Sequence, residues 1–215
     1  MKYKTGSLLA LAVLSVVGCT HRVAMQPIKV EPVRMTLDIN VTMQRQEIED
    51  AAAEASPVIG TRAPDFTLSN QDKQPITLSS LHGKWVVLYF YPENETTGCT
   101  MEAVEFTTLL PQFNKLNATV LGVSDNSIQS HCDFIANHQL QLTLLSDPNH
   151  EVMDLYGAWV ISSLGNLQYG RAVRTTLIID PTGVIRLFMP EVMPQGHAER
   201  ILKKLTNLQN IRLTK

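Results

Sequence analysis

One cysteine, Cys99, stands where a buried strand gives way to a helix. The run WVVLYFY at 85–91 is β-branched and aromatic, too short to span a membrane and typical of a central strand buried on both faces. Pro92 ends that run, Gly98 is expected to give the backbone freedom just before Cys99, and helical spacing of apolar residues resumes at Met101. The first turn of a helix has N–H groups without intrahelical partners and a dipole that favours negative charge. The sequence therefore predicts a nucleophilic thiolate at Cys99.

The spacing of Pro92, Thr96 and Cys99 gives P-x-x-x-T-x-x-C, which resembles the active-site signature of peroxiredoxins. The segment GTRAPDFTL at 60–68 is similar to the G-x-x-A-P-D-F-x-L opening of the bacterioferritin-comigratory (PrxQ-type) branch, and VVLYFYP, LLSD and RTTLIIDPTG follow in that family's order. This resemblance implies an α/β thioredoxin-like fold, with a central mixed β-sheet flanked by helices, in a domain at 58–215. It also implies a thioredoxin-dependent peroxidase that reduces hydrogen peroxide and organic hydroperoxides through a peroxidatic cysteine.

Four residues are candidates for holding a peroxide at Cys99 or for preparing the site around it. Attack by the sulfur requires an in-line oxygen and a stabilised leaving oxygen. Thr96 can offer its hydroxyl to the peroxide and to the sulfur, and Pro92 would exclude water from the thiolate. Arg174 matches the family arginine whose guanidinium pairs with thiolate and peroxide together. Glu102 matches a position where the family carries an acid or amide that orients this arginine. The alternatives are a solvated strand-end charge for Arg174 and a simple first-turn acid for Glu102.

A second thiol of the domain, Cys132, is interpreted as the resolving cysteine. Many members of the PrxQ-type branch read T-P-G-C and place a second cysteine five residues after the first, whereas this chain has Thr97 and Val104 at the corresponding positions. The capping residues and apolar spacing of 126–137 predict a helix around Cys132. Some relatives carry the resolving cysteine on this helix near the position of Ile135, which lies on nearly the same face, one turn or about 5 Å away. The alternative is a free cysteine packed as a small apolar residue.

Composition is that of one modest globular domain with an extra N-terminal segment. The 215 residues are 44% hydrophobic and 18% charged, which argues against disorder. The formal net charge of −2 gives no reason to expect a nucleic-acid partner. Since His131, His138 and His150 show no ligand spacing, a metal site is not expected. No other cofactor is expected. The chain also lacks the C-x-x-C motif of a disulfide reductase or isomerase.

Residues 1–18 are typical of a signal peptide rather than of a folded element. Two lysines precede an apolar stretch at 8–17 that is too short to cross a bilayer. The stretch ends in VVGC, which resembles a bacterial lipobox, so Cys19 is expected to carry lipid and to become the mature N-terminus. Thr20, rather than Asp, favours the periplasmic face of the outer membrane in a bacterial cell envelope. The alternative is an ordinary signal peptide with an incidental cysteine.

Residues 19–57 are expected to tether the domain to the membrane, yet they contain a strand pattern. Apolar and polar residues alternate strictly over 35–43, and a flexible tether does not need this period of two. The start CTHRVA at 19–24, together with PVRMTLDINVTM at 32–43, resembles the short YnbE-like lipoproteins. This resemblance implies β-strand addition to another envelope protein or to a second copy. Two alternatives follow: the strand folds back onto the enzyme's own sheet, or the protein is an envelope adaptor with the thioredoxin-like domain as a docking module.

Strands and helices alternate along the rest of the domain, as a thioredoxin-like sheet requires. DPTG at 180–183 joins two apolar runs and predicts a hairpin. The predicted strands are 66–68, 118–124, 141–145, 175–179 and 184–188, and the predicted helices that close the pattern are 151–156 and 197–208.

Overall fold

The structure is a computed structural model, and it describes residues 57–164 and 167–213. The strands are β1 (Thr67–Asn70), β2 (Pro75–Thr77), β3 (Trp85–Phe90), β4 (Ala118–Ser124), β5 (Thr143–Ser146), β6 (Trp159–Leu164), β7 (Leu167–Ala172), β8 (Thr175–Ile179) and β9 (Ile185–Met189). The helices are α1 (Thr97–Lys115), α2 (Ile128–His138), α3 (Glu151–Leu155) and α4 (His197–Leu213), with a short 3₁₀ helix at Leu78–Leu81.

Seven strands form the main sheet, in the order β2-β1-β5-β4-β3-β8-β9. β3 is parallel to β4, and β4 is parallel to β5. β8 joins β3 antiparallel, and β9 and β1 are antiparallel to their neighbours β8 and β5. β6 and β7 form a separate hairpin. The predicted central mixed sheet flanked by helices is confirmed.

All six residues of β3 are buried because the sheet is covered on both faces. Val87 and Tyr89 lie in a core built with α1, α2 and α4, whereas Val86 and Leu88 lie in the opposite core, which includes residues of α3 and the 3₁₀ helix. This alternation fixes β3 in the middle of the molecule and brings the loop that follows it to one edge of the sheet.

Most predicted elements are present, with shifted ends. The β4 strand and the β8–β9 hairpin occur where the sequence predicts them, and the predicted helix around Cys132 is α2. The sequence pattern did not indicate β2 or the β6–β7 hairpin, and α4 continues beyond the predicted end at residue 208. In the described ranges, no helix is long and apolar enough to cross a membrane. The predicted signal peptide, Cys19 and the 35–43 strand lie outside the described residues.

Candidate active site

Cys99 lies in the first turn of α1. Thr96 is the N-cap residue, and the N–H of Thr100 donates to the Thr96 carbonyl at 2.9 Å as the first bond of the helix. The N–H groups before it have no partner within the helix, so the end of α1 around Cys99 carries partial positive charge. Cys99 is only 2% exposed, which keeps bulk water from screening this field.

Strand register brings Arg174 to the same edge of the sheet as Cys99. Phe90, the last residue of β3, pairs with Thr175 at the start of β8. Arg174 therefore directly precedes a strand that is antiparallel to β3, beside the point where the Cys99 loop leaves the sheet. A slip of one residue would turn the neighbouring side chains to the other face.

The Arg174 guanidinium bridges a sulfur and a carboxylate. Its Nη2 donates to Cys99 Sγ at 3.1 Å, and its Nη1 donates to Glu102 Oε2. Burial acts to lower the pKa of Arg174, but the Glu102 carboxylate and the Cys99 sulfur raise it above its usual value. The guanidinium therefore stays charged, and a charged donor at this distance stabilises a thiolate more than a thiol.

Glu102 has a second partner that the sequence pattern did not identify. Its Oε1 lies 2.6 Å from His197 Nδ1, and both side chains are fully buried. Because a carboxylate can only accept, Nδ1 carries the proton and donates it. His197 entered the sequence interpretation only as the first residue of a helix. Its 95-residue separation from Glu102 leaves no local signal that could have paired them.

Pro92 and Thr96 lie on the loop between β3 and α1. Pro92 is half-buried and Thr96 is exposed. The Thr96 hydroxyl donates to the Glu93 carbonyl at 3.0 Å, so the expected bond from Thr96 to the sulfur is not made. The lone pairs of the hydroxyl oxygen remain able to accept a bond from an incoming hydroperoxide.

Gly98 is required by close packing rather than by backbone freedom. It does not have the positive φ that would favour glycine, so the expected reason was wrong. A Cβ at this position would lie 3.3 Å from Pro194 Cγ and 3.6 Å from Arg174 Nη2. The absent side chain therefore avoids a tight contact with Pro194, whereas the distance to Arg174 would be an ordinary van der Waals contact.

Cys132 is not beside Cys99 in this structure. Its Sγ donates to the Gln71 carbonyl at 3.1 Å, and both cysteines are free thiols. Gln71 follows β1, which is separated from β3 by β5 and β4. Three strand spacings amount to about 14 Å, whereas a disulfide needs Cα atoms within about 7 Å.

The loop before Thr96 is bound to α2, the helix that carries Cys132. The buried Asn94 donates from Nδ2 to Ser130 Oγ at 2.9 Å. The carboxylate of Glu95 accepts from Asn137 at 3.0 Å and contacts His138 Nε2 at 2.7 Å. These bonds join the segment ahead of Cys99 to the segment that carries the second thiol.

His131, also on α2, is buried against the same loop. Its Nδ1 lies 3.2 Å from Asn94 Nδ2 and 3.3 Å from the Tyr91 hydroxyl, and its Nε2 lies 3.2 Å from the Leu145 carbonyl. Burial lowers the pKa of His131 to about 4, so the ring is neutral at physiological pH. Among the described residues, no group of three or more His, Cys, Asp or Glu side chains could hold a metal ion.

Known proteins are similar to this chain in sequence over about two thirds of its length. A model of the AhpC/TSA family matches residues 59–188. The chain is 42% identical over 147 residues to a putative peroxiredoxin bcp of Helicobacter pylori strain J99, covering 68% of this chain and 97% of that protein. It is 38% identical over 151 residues to the chloroplastic peroxiredoxin Q of Sedum lineare, covering 70% of this chain and 78% of that protein.

Solved structures of similar proteins superimpose on this chain. A crystal structure of a Xylella fastidiosa PrxQ mutant superimposes with a TM-score of 0.66 at 35% identity, covering 71% of this chain and 98% of that chain. The bacterioferritin comigratory protein of Xanthomonas campestris gives a TM-score of 0.64 at 32% identity, covering 66% of this chain and 90% of that chain. The predicted thioredoxin-like fold is confirmed.

Proposed function

The chain belongs to the AhpC/TSA family and is a thiol-dependent peroxidase similar to the Bcp and PrxQ peroxiredoxins, and from this premise we propose that Cys99 is its peroxidatic cysteine. The observation that carries the proposal is the contact of Cys99 Sγ with Arg174 Nη2, made at a buried helix N-terminus. A buried helix N-terminus and a charged hydrogen-bond donor are surroundings typical of nucleophilic cysteines.

The reaction begins with attack of the Cys99 thiolate on the hydroxyl oxygen of a hydroperoxide. An S–O bond forms with a sulfur electron pair as the O–O bond breaks, so sulfur is oxidised to sulfenic acid. The other oxygen leaves as alkoxide or hydroxide and takes a proton from solvent, giving an alcohol or water. Thr96 accepts a hydrogen bond from the peroxide, and Pro92 limits access of water to the sulfur.

Arg174 stabilises the charge that moves from sulfur to the leaving oxygen. Its Nη2 already donates to Cys99 Sγ, and the buried Glu102 carboxylate, which accepts from Nη1, fixes the plane of the guanidinium. A preorganised donor does not have to reorient during the reaction, and this is the main advantage of such a site over water.

Cys132 is proposed to resolve the sulfenic acid. Its thiol attacks the Cys99 sulfur, an S–S bond forms, and the hydroxyl leaves as water after gaining the thiol proton. A dithiol reductant of the thioredoxin type then supplies two electrons and restores both thiols. Because Cys132 lies near Gln71 in the reduced protein, the start of α1 and part of α2 must unwind first.

The membrane anchor remains a proposal from sequence. The lipobox-like VVGC supports lipidation of Cys19, Thr20 supports the periplasmic face of the outer membrane, and the alternation at 35–43 supports pairing with an envelope protein. The comparisons give no support to an adaptor as the main function.

Sulfenic acid trapping tests the assignment of Cys99. The reduced protein is treated with one equivalent of hydrogen peroxide in the presence of dimedone, and the modified peptides are identified by mass spectrometry. We expect the adduct on Cys99, and a larger yield in Cys132→Ser, because the competing disulfide cannot form. An adduct confined to Cys132 would contradict the proposal.

A further inference from the structure

Glu102 binds different partners with its two carboxylate oxygens. Oε2 accepts from Arg174 Nη1, and Oε1 accepts from His197 Nδ1 at 2.6 Å. Glu102 lies in α1, whereas His197 is the first residue of α4. The two helices therefore meet at this carboxylate, which also binds Arg174 directly.

The bond from His197 restricts a rotation of the Glu102 carboxylate that the bond from Arg174 leaves free. The last torsion of a glutamate side chain is broad, so a carboxylate held by one oxygen can still rotate. A charge-assisted bond on the other oxygen restricts that rotation and, with it, the plane of the Arg174 guanidinium. Arg174 Nη2 is then held within hydrogen-bond distance of Cys99 Sγ before the peroxide arrives.

Among the described residues, the His197 side chain has one hydrogen-bond partner, which is Glu102. The ring packs edge-to-face on Phe106, with centroids 5.6 Å apart. Its Nε2 is buried and has no hydrogen-bond partner in the described part of the chain. An apolar side chain would satisfy such packing, so the histidine is explained by its bond to Glu102.

Two further hydrogen bonds fix the start of α4, and with it the position of His197. The Gly196 N–H donates to Glu105 Oε1 at 2.8 Å, and the His197 N–H donates to the Pro194 carbonyl at 3.1 Å. Glu105 and Glu102 both belong to α1 and lie about one helical turn apart, so α1 holds the start of α4 at two positions.

We propose that His197 is a positioning residue of the peroxidase: its Nδ1–H holds Glu102, and Glu102 holds Arg174 against Cys99. The inference rests on the proposed roles of Cys99, Arg174 and Glu102. It predicts that His197 influences the reaction only while Arg174 is present.

A double-mutant cycle tests this dependence. The rate constant for oxidation of Cys99 by hydrogen peroxide is measured by stopped flow on the full-length protein. We expect His197→Leu to lower it about tenfold, and His197→Asn to retain most of it because its amide can donate from the position of Nδ1. In an Arg174→Ala background, His197→Leu should cause no further loss, since coupled residues are not additive.

Leu205→Ala is the matched control. Leu205 is fully buried on α4 and lies two turns from His197, so its truncation loosens the helix without removing the bond to Glu102. It should lower the thermal unfolding midpoint while leaving the rate constant unchanged. Where His197→Leu does not fold, His197→Phe keeps an aromatic ring beside Phe106 and enters the same cycle.

Equal fold losses from His197→Leu with and without Arg174 would overturn the inference, and so would His197→Asn being as slow as His197→Leu. Either result leaves the proposed function intact as long as the wild-type protein reacts far faster than Cys99→Ser. If those two proteins react alike, the proposed function fails, and the inference fails with it.

Discussion

At the scale of residues, the reactivity proposed for Cys99 depends on groups that come from distant parts of the chain. The helix start is local, but Arg174 and His197 follow Cys99 by 75 and 98 positions and are brought together through Glu102. Each member of this set satisfies the charge of the next, which is why all of them can be buried.

Arg174→Ala tests the main electrostatic contribution. Loss of the Nη2–Sγ bond should slow both iodoacetamide alkylation of Cys99 and peroxide reduction, by about ten- to hundredfold for the latter. Arg174→Lys should recover alkylation better than peroxide reduction, because a point charge cannot reproduce the fork. Arg171→Ala, which removes an exposed arginine of β7, is the control and should change neither rate. Unchanged kinetics in Arg174→Ala would refute its role.

Gly98→Ala tests the close approach at the site. The new Cβ would press on Pro194 Cγ and approach Arg174 Nη2. Alanine favours the helix by up to about 1 kcal/mol, so we expect a free energy of unfolding in urea within about 1 kcal/mol of wild type. The peroxide rate constant should fall modestly because Pro194 must shift beside the site, whereas Arg174 Nη2 stays at an ordinary van der Waals distance. Thr97→Ala, at an exposed position one residue earlier, should change neither quantity; a Gly98→Ala enzyme with the wild-type rate would show that the contact is harmless.

At the scale of elements, the proposed resolving step requires the segments that carry Cys99 and Cys132, which are apart in the reduced protein, to meet. Asn94 and Glu95 bind the intervening loop to α2. The cost of unwinding the first turn of α1 therefore includes these bonds.

Detection of a Cys99–Cys132 disulfide tests the proposed resolving step. After one equivalent of peroxide, non-reducing peptide mapping should find a Cys99–Cys132 bond, because the sulfenic acid is consumed only when both segments unwind. Cys132→Ser should remain at the sulfenic acid stage and react normally in the first turnover. Recovery of oxidised wild-type protein with Cys132 still alkylatable would instead identify a one-cysteine cycle that depends on an external thiol.

The sequence predicts elements better than it predicts their contacts. The β3 strand, the α1 start and the β8–β9 hairpin follow from local patterns: an unbroken apolar run, a proline followed by helical spacing, and the DPTG turn. The β6–β7 hairpin does not follow from a local pattern. Gly170 lies against the Trp159 ring of the other strand, and the sequence of either strand alone does not indicate such packing. His197 was missed for the same reason, since its partner is set by the docking of α4 on α1.

At the scale of the whole molecule, burying a neutral histidine links stability to pH. His131 has a pKa of about 4 in the folded protein and one near 6.5 when unfolded, so the unfolded chain binds more protons between these values. Its contribution is fully present above pH ~6.5 and is lost as pH falls toward 4, by up to about 3 kcal/mol. Asp180, whose pKa is lowered to about 2, acts below this window.

Urea unfolding at a series of pH values measures this contribution. The free energy of unfolding should decline between pH ~6.5 and ~4, and His131→Gln should flatten the decline in that interval because the titrating ring is gone. His138→Gln, which alters a partly exposed histidine on the same helix, is the control. An identical slope in wild type and His131→Gln would show that other groups set the pH dependence.

The role proposed for Cys99 requires the reduced protein to consume hydrogen peroxide through this one sulfur. Stopped-flow measurement of hydrogen peroxide consumption by the reduced full-length protein, beside Cys99→Ser and Cys132→Ser, tests this role. We expect the wild-type protein and Cys132→Ser to react orders of magnitude faster than free cysteine in the first turnover, and Cys99→Ser not to react above background. A wild-type rate no greater than that of free cysteine, or a rate that survives in Cys99→Ser, would contradict the account.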